Sequence, residues 1–388
     1  MFLPGDGTGK VRPHKDEPMK QAKPTPRPQV QDLVRTAVPQ SGRYGTLRLD
    51  KNECCAGYSA KVVRSMLKAV SGERLAAYPE TVPLYEQLAK WHGVEVTQLA
   101  VTAGSEMAIR YLFEAFLSPG DEVVVLNPSF AMFEVYARLC GAKLATADFD
   151  RQWRVEPDEI LRLITPRTKI VALANPNNPT GTVLNEKVLV AIVQQADRCG
   201  ALVLIDEAYY HFYKRTMLGY LPRFDNLVVT RTFSKACGVA GVRLGYAVGH
   251  PRVIAALNKV QPIDHVSVFA VRIGMFLIDH EDMIEDYVRR TEAGKRYLLK
   301  ALAALGFSVI GSHANFLLVD FGQDKDQIVQ WLRDRRIHVG TILRLPFPST
   351  FVRVTAAPVS VMKRFVTELE DVLREHRMLP ARPPHPVR

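Results

Sequence analysis

Cysteine is scarce in this sequence, and the few copies present form no framework. The 388 residues contain five cysteines and ten histidines. The cysteines are odd in number and have no C-x-x-C spacing, which argues against a disulfide scaffold and against a thiolate zinc site. The histidines show no H-E-x-x-H or similar ligand spacing. We therefore expect reduced thiols and no bound metal.

Long apolar stretches are missing as well. The longest runs, such as residues 201–205, have the length of a strand, whereas a membrane-spanning helix needs about 20 apolar residues. The first residues, MFLPGDGTGKVRPHKDEP, lack the apolar segment of roughly 7 to 15 residues found in signal peptides. We expect a cytoplasmic protein with no membrane partner.

The positive charge is not concentrated in one block. The net charge is +11, but the excess of lysine and arginine is divided between two proline-rich tails and the long segment between them. A nucleic-acid-binding protein would need an added recognition module, and about 30 N-terminal residues are too few for a helix-turn-helix domain. The segment GDGTGK follows no strand and opens no apolar helix, so it fails the context of a phosphate-binding loop. We expect no nucleic-acid partner.

What the chain does have is a globular composition, with 47% hydrophobic and 23% charged residues, and a regular alternation of strand-like and helix-like segments. Strands are expected at residues 99–102, 122–126, 170–174, 201–205 and 227–230. This alternation predicts an α/β fold with a mostly parallel sheet covered by helices on both faces. Beyond about residue 305 the pattern changes to that of a smaller α+β domain. Ligand-binding loops should lie beyond the carboxyl ends of the parallel strands.

The segment VVTRTFSKACGVAGVRLGY places a lysine, Lys235, in a loop at the end of a strand. A lysine there is suited to bind an aldehyde covalently when partial burial lowers its pKa. The hydroxyls of Thr232 and Ser234 and the guanidinium of Arg243 are suited to hold a phosphate beside it. Alone, such a lysine is most often a solvated surface cation.

Three further motifs follow predicted strands. NPNNPTG forms a polar loop that could also be an ordinary tight connection. Asp206 directly follows an apolar strand, where it could cap a helix or face a cofactor. In TAGSE, Gly104 and Ser105 open a helix, and the N–H groups at a helix N-terminus favour phosphate.

Taken together in this order, these motifs resemble those of fold-type I pyridoxal 5′-phosphate enzymes, and the chain is most similar to the histidinol-phosphate aminotransferase branch of the class I and II aminotransferases. The resemblance covers roughly residues 45–375. Its strongest stretches are LDKNE, AAYPE, TAGSE, PSFAMF, NPNNPTG, DEAY, RTFSKACGVAGVRLGY and FVRVT. It implies a seven-stranded sheet in the large domain, pyridoxal 5′-phosphate as cofactor and transfer of an amino group between small-molecule substrates, with glutamate as a candidate donor.

The resemblance implies a role for each matching residue. Lys235 would hold the cofactor and move the substrate proton, and Asp206 would pair with the pyridine nitrogen. Tyr209 and Asn178 would bind the ring hydroxyl, and Phe133 would stack on the ring. Further cofactor ligands implied are Gly104, Ser105, Glu106, Thr232, Ser234 and Arg243.

The substrate and the partner subunit are implied in the same way. Arg353 would bind a substrate carboxylate in a bidentate manner, although it could also be an exposed strand cation. Asn52 is expected to contact the substrate. Tyr78 would reach the cofactor phosphate of a neighbouring subunit, which implies a homodimer.

The expected organisation has five parts. Residues 1–30 form a flexible basic tail, residues 31–70 an arm packing on the small domain, and residues 71–285 the large cofactor-binding domain. Residues 286–378 form the small domain, and residues 379–388 a second flexible tail.

The sequence departs from the family pattern near the expected substrate site. A second arginine that holds the substrate phosphate usually lies about a dozen residues before the FVRVT arginine. Here that count reaches Gly340 or Thr341, and the local pattern GTILR makes Arg344 the match with a shortened loop. We therefore expect histidinol phosphate to be a poorer substrate than a smaller amine. A phosphoserine- or phosphothreonine-type decarboxylase of the same fold is the alternative, because the same lysine and aspartate would serve it.

Overall fold

The computed structural model describes residues 25–31, 33, 42–341 and 350–379. Within these ranges the strands are β1 (Leu47–Leu49), β2 (Leu99–Thr102), β3 (Glu122–Asn127), β4 (Lys143–Asp148), β5 (Thr168–Ala174), β6 (Leu202–Asp206), β7 (Leu227–Thr232), β8 (Gly245–Gly249), β9 (Val309–Ile310), β10 (Phe316–Asp320), β11 (Ile337–Thr341) and β12 (Phe351–Thr355). The α-helices are α1 (Pro28–Gln31), α2 (Ala60–Leu67), α3 (Gly72–Ala76), α4 (Val82–His92), α5 (Ser105–Phe116), α6 (Ala131–Leu139), α7 (Pro157–Leu163), α8 (Glu186–Arg198), α9 (Tyr210–Tyr213), α10 (Pro251–Val260), α11 (Val268–Asp279), α12 (Glu281–Ala304), α13 (Lys325–Asp334) and α14 (Val359–Glu375).

The larger sheet has seven strands in the order β2-β8-β7-β6-β5-β3-β4. Neighbouring strands from β7 to β4 run parallel, while β8 is antiparallel to both β2 and β7. The expected α/β fold with a mostly parallel seven-stranded sheet is confirmed. The strand order brings the ends of β5, β6 and β7 side by side, which is where the expected ligand loops begin.

Alternating side chains of the sheet pack into two separate cores. Val203 and Ile205 of β6 lie in one core, and Leu202 and Leu204 lie in the other. Because both faces of each central strand are covered by helices, these strands read as continuous apolar runs. In β6 the first polar side chain is Asp206, at the carboxyl end.

The smaller domain is built on a five-stranded sheet in the order β1-β11-β12-β10-β9. Strand β1 runs parallel to β11, and the remaining pairs are antiparallel. The arm expected over residues 31–70 therefore contributes a strand to the small domain. Its helix α2 instead packs its buried Met66 into the large-domain core, because its apolar side chains meet helix α11 there. Residues 32 and 34–41 lie outside the described ranges.

A single long helix joins the two domains. Helix α12 spans residue 285, where a domain boundary was expected, without interruption. Its Ile284 and Val288 pack into the large-domain core, whereas Leu298 and Leu302 pack into the small-domain core. The apolar pattern of the helix is continuous, so the boundary lies within one rigid element. Among the described residues, no helix is both long and apolar enough to cross a bilayer.

The contact between α12 and the start of α14 predicts a stability effect. A Cβ atom added to Gly294 would lie 1.7 Å from the carbonyl oxygen of Ala357, so Gly294→Ala forces backbone apart. We expect a loss of roughly 1 to 3 kcal/mol in the free energy of unfolding, measured by urea denaturation.

The matched control is Gly72→Ala, since a Cβ at Gly72 meets no atom within 4 Å. That variant should match the wild type or gain a few tenths of a kcal/mol through helix propensity. Equal stability of the two variants would show that α12 does not depend on this close contact.

Candidate active site

The polar motifs meet at one edge of the large sheet. Asp206 is the last residue of β6, and Thr232 is the last residue of β7. The NPNNPTG loop follows β5, and Gly104 follows β2. Parallel strands bring these ends together, so segments more than 100 residues apart in sequence form one site.

An anion cradle lies at the start of α5. Ser105 is its first residue, and Gly104 precedes it with a left-handed φ of 87°. A Cβ on Gly104 would lie 2.7 Å from a guanidinium nitrogen of Arg243, so a side chain there would displace the guanidinium and strain the left-handed backbone. Arg243 Nη1 in turn donates to Ser234 Oγ at 3.1 Å. A helix N-terminus, two hydroxyls and a guanidinium thus converge on one place, as a phosphate requires.

Two further residues shape the cradle. The Thr232 hydroxyl accepts the backbone N–H of Ser234 at 3.1 Å and fixes the turn that carries Ser234. Glu106, in the first turn of α5, accepts a hydrogen bond from Tyr136 at 2.9 Å. Its side chain therefore supports the helix start.

Lys235 lies half-buried just beyond the cradle. Its ammonium donates to the carbonyl oxygen of Lys51 at 2.8 Å. Burial lowers the pKa of Lys235 to about 8, and the nearby Arg353 guanidinium acts in the same direction. A substantial fraction of the amine is therefore neutral near physiological pH, as a nucleophile and base needs to be.

Asp206 is the buried carboxylate of the site. It is 5% exposed, and its Oδ1 accepts the Thr230 hydroxyl at 2.8 Å. Burial raises the pKa of Asp206 to about 6, while Thr230 and the Lys235 ammonium oppose the rise. The following helix α9 is preceded by Tyr209, so Asp206 is not its N-cap. The cap alternative is wrong.

Tyr209 is held by Asn52, which lies in the segment between β1 and α2. Its hydroxyl accepts a hydrogen bond from Asn52 Nδ2 at 2.9 Å, and Asn52 Oδ1 accepts one from Thr355 at 3.2 Å. Asn52 is only 1% exposed and has a left-handed φ of 56°. The contact expected between Asn52 and a substrate is therefore corrected: both ends of its amide position Tyr209 against strand β12. Burial raises the pKa of Tyr209, so its phenol stays protonated.

Arg353 lies on β12, facing the large domain. Its Nη1 donates to Asn178 Oδ1, and its Nη2 donates to the carbonyl oxygen of Asp50 at 2.7 Å. Its guanidinium also lies 5.6 Å from the ring of Phe316. Arg353 is therefore not an exposed strand cation, and it joins the NPNNPTG loop to the small domain.

Comparison with known proteins decides the family. The family model described as aminotransferase class I and II matches residues 45–369. The chain belongs to the class I and II aminotransferases. It is 30% identical over 354 residues to a protein named histidinol-phosphate aminotransferase from Thermoanaerobacter sp. (strain X514), covering 89% of this chain and 99% of that protein. It is 32% identical to one of the same name from Sinorhizobium fredii, covering 86% and 90%.

Solved structures give the same fold for this aminotransferase. A histidinol-phosphate aminotransferase from Sinorhizobium meliloti in complex with pyridoxal 5′-phosphate superimposes with a TM-score of 0.81 at 23% identity, covering 92% of this chain and 99% of that one. An aspartate aminotransferase mutant from Thermus thermophilus superimposes with a TM-score of 0.74 at 22% identity, covering 90% and 99%. These likenesses concern the fold alone.

The site fits pyridoxal 5′-phosphate, the cofactor expected from the sequence and confirmed by the family. Its phosphate matches the cradle around Gly104, where a Cβ would collide with Arg243. Its aldehyde matches a lysine with a lowered pKa, Lys235, and its pyridinium matches the buried carboxylate of Asp206. The donor set therefore covers each reactive or charged part of the cofactor.

The expected stacking role of Phe133 is wrong. Phe133 lies in helix α6, is 1% exposed, and packs against Phe113 at 6.4 Å and Phe130 at 5.7 Å between ring centroids. Its ring belongs to the core. Phe130 immediately precedes α6 and is half-buried, so it is the aromatic face of PSFAMF available to a ring. The two rings are distinguished by the start of α6 at Ala131, which leaves Phe130 before the helix and places Phe133 inside it.

Two expected contributors remain predictions. Tyr78, expected to reach a neighbouring subunit, is 81% exposed, and Arg344 lies outside the described residues. The sequence also missed Thr230 and Thr355. Thr230 could have been found, because it is the polar residue that ends an apolar run beside Asp206.

Cys55, three residues after Asn52, is a half-buried thiol. Cys55 Sγ donates to the Arg48 carbonyl oxygen at 3.1 Å, and burial raises the pKa of Cys55 to about 12. A thiol of this kind is not a nucleophile at neutral pH. These observations support a packing role for Cys55.

The cradle predicts a defect in cofactor binding. Gly104→Ala places a Cβ against Arg243 and strains a left-handed backbone, so the dissociation constant for pyridoxal 5′-phosphate should rise at least tenfold, measured by absorbance titration of the cofactor-free protein.

The matched control is Gly93→Ala, which has a left-handed φ of 65° but no atom within 4 Å of the added Cβ. It should lose stability from the backbone alone and keep cofactor affinity within about twofold. If both variants weaken the cofactor equally, the cradle is not responsible.

Proposed function

We propose that this aminotransferase moves an amino group between an amino acid held through its carboxylate by Arg353 and a second amine–carbonyl pair, with glutamate as the first donor. The observation that carries the proposal is the placement of Arg353 beside Asn178 and close enough to Lys235 to lower its pKa. A planar guanidinium suits bidentate binding of a carboxylate. That placement supports a substrate whose Cα is presented to the lysine.

The residues of the chain divide the work of the reaction. Pyridoxal 5′-phosphate, when bound, supplies an aldehyde that accepts the amino group and a pyridinium ring that stores the electron pair released at Cα. Lys235, with its pKa lowered to about 8, would take the proton from the substrate Cα and deliver it to the carbon that carried the cofactor aldehyde. Asp206 would accept a hydrogen bond from the protonated ring nitrogen, and Tyr209 and Asn178 would hold the ring hydroxyl.

The names of the relatives bear on the second substrate. Proteins 30 to 32% identical to this chain are named histidinol-phosphate aminotransferase, which supports histidinol phosphate as a candidate amine. Its phosphate would need a cation, and Arg344 lies outside the described residues. Poorer use of histidinol phosphate than of a smaller amine therefore stays a prediction.

The substrate proposal is tested with a panel of amines and 2-oxo acids on the wild type and on Arg353→Lys. Loss of the planar fork should lower kcat/KM for glutamate roughly tenfold to hundredfold, because a charge-assisted contact contributes about 1.5 to 3 kcal/mol. Cofactor affinity should change by less than about threefold. New amino acid and released carbon dioxide are both measured, which separates transamination from the decarboxylase alternative.

The control is Arg335→Lys, whose guanidinium pairs with Glu368 and Glu375 on the small domain and should leave kinetics unchanged. Unaltered glutamate kinetics in Arg353→Lys would contradict the proposed binding of the substrate carboxylate by Arg353. Carbon dioxide without new amino acid would establish the decarboxylase instead.

We also propose a homodimer in which Tyr78 of each subunit completes the other subunit's site. Tyr78 is 81% exposed, and the apolar side chains Leu75 and Val82 beside it are 57% and 63% exposed. An exposed aromatic and its apolar neighbours suit burial against a second copy.

Sedimentation at micromolar concentration should give a dimer, and Tyr78→Phe should weaken cofactor binding about tenfold by removing a hydroxyl that bonds to phosphate. In a hybrid dimer, a Tyr78→Phe subunit is paired with a Lys235→Ala subunit. One of its two sites then contains native Lys235 from the first subunit and native Tyr78 from the second, and that site should regain tight cofactor binding. Tyr44→Phe, at a tyrosine that is 94% exposed, serves as control. A fully active monomer would end the proposal.

A further inference from the structure

Thr230 and Asp206 form a buried pair between two neighbouring strands. They are directly opposite in the parallel register of β7 and β6. The Thr230 hydroxyl is fully buried and donates to Asp206 Oδ1 at 2.8 Å. Because an ionised carboxylate only accepts hydrogen bonds, this contact is satisfied best when Asp206 is charged.

We propose that Thr230 is a positioning residue that holds the Asp206 carboxylate ionised and correctly oriented for the protonated ring nitrogen of the cofactor. The proposal rests on the assignment of Asp206 as the partner of that nitrogen. A threonine supplies one donor and no charge. The negative charge of Asp206 therefore stays available to the cofactor instead of being neutralised inside the protein.

The groups around Asp206 make its ionisation sensitive to the hydrogen bond from Thr230. Burial raises the pKa of Asp206, and the neighbouring Glu207 adds to the rise. The Thr230 hydroxyl, the Lys235 ammonium and the backbone N–H of Ala208 oppose it. With a pKa of about 6 the carboxylate is only modestly on the ionised side at neutral pH, so loss of one hydrogen bond moves it toward the neutral form.

The other groups nearby cannot replace this hydroxyl. Glu207 is already paired with Arg231, whose Nη2 lies 2.8 Å from its carboxylate. Tyr209 donates no hydrogen bond to Asp206 among the described contacts, and its hydroxyl accepts from Asn52. Thr230 is thus the side-chain hydrogen-bond donor to Asp206 within the described residues.

The test is the pH dependence of cofactor affinity, measured by absorbance titration of the cofactor-free protein between about pH 5 and 9. When Asp206 is neutral it cannot pair with the ring nitrogen, so affinity falls as pH drops through its pKa. Thr230→Val should move the midpoint of that fall upward by about half a pH unit or more. For a rise of half a unit, the variant should weaken binding about threefold near pH 5 and leave it within about twofold at pH 8.5.

Conservative variants separate the hydroxyl from packing. Thr230→Ser keeps the donor and should restore the wild-type midpoint, and Thr230→Ala should behave as Thr230→Val if the valine variant folds poorly. Thr168→Val removes another fully buried strand hydroxyl, one that accepts from the Thr165 backbone, and should not move the midpoint. Ionisation of free cofactor is common to all variants and cancels in the comparison.

Asp206→Asn makes the two possible failures distinct. An amide does not titrate, so this variant should lose the acidic midpoint. If it keeps the wild-type profile, Asp206 is not the ring-nitrogen partner and the assignment beneath the proposal fails. If it loses the midpoint while Thr230→Val keeps it, or weakens binding equally at every pH, Thr230 is a packing residue and the proposal is overturned.

Discussion

The structure of this site depends on keeping two opposite charges, Asp206 and Lys235, partly out of water at the edge of one sheet. Burial alone disfavours both charged forms, and the pKa of the acid rises while that of the amine falls. Each charge therefore needs hydrogen bonds that a packed strand interior cannot supply. The carboxyl ends of parallel strands supply them, because side chains and carbonyls there are no longer committed to the sheet.

The segment before the first large-domain helix supplies part of that compensation and also joins the domains. The carbonyl oxygens of three consecutive residues, Asp50, Lys51 and Asn52, accept from Arg353, Lys235 and Asn315 respectively. One short stretch of backbone thus contacts both Lys235 and Arg353. Because Arg353 and Asn315 belong to the small domain, any shift of that domain is transmitted to the groups around Lys235.

The fold could be read from the sequence wherever one pattern dominated. The strands ending at Thr102, Ala174 and Asp206 were placed within two residues, since continuous apolar runs followed by polar turns have few other solutions. Strand β8 was missed, because its short run of small residues carries little pattern.

Residues of the candidate site could be predicted from the sequence only where a motif determines the direction of the side chain. Lys235, Asp206 and Arg243 follow from their places at strand ends. Phe130 and Phe133 differ only in whether they precede or enter a helix, and a helix boundary is the least certain feature of a sequence. Asn52 meets Tyr209 through a contact 157 residues distant in sequence, and no local pattern indicates it.

Strands β6 and β7 end in two polar pairs that serve opposite purposes. Glu207 and Arg231 neutralise one another in a buried ion pair, and the Arg231 guanidinium also lies 3.5 Å from the ring centroid of Tyr210. One residue earlier on each strand, Asp206 meets a neutral hydroxyl instead. Since successive residues of a strand point to opposite faces, the same two strands can bury a closed ion pair on one side. On the other side Asp206 lies beside a neutral hydroxyl that does not cancel its charge, and a negative charge is what a cationic cofactor ring would require.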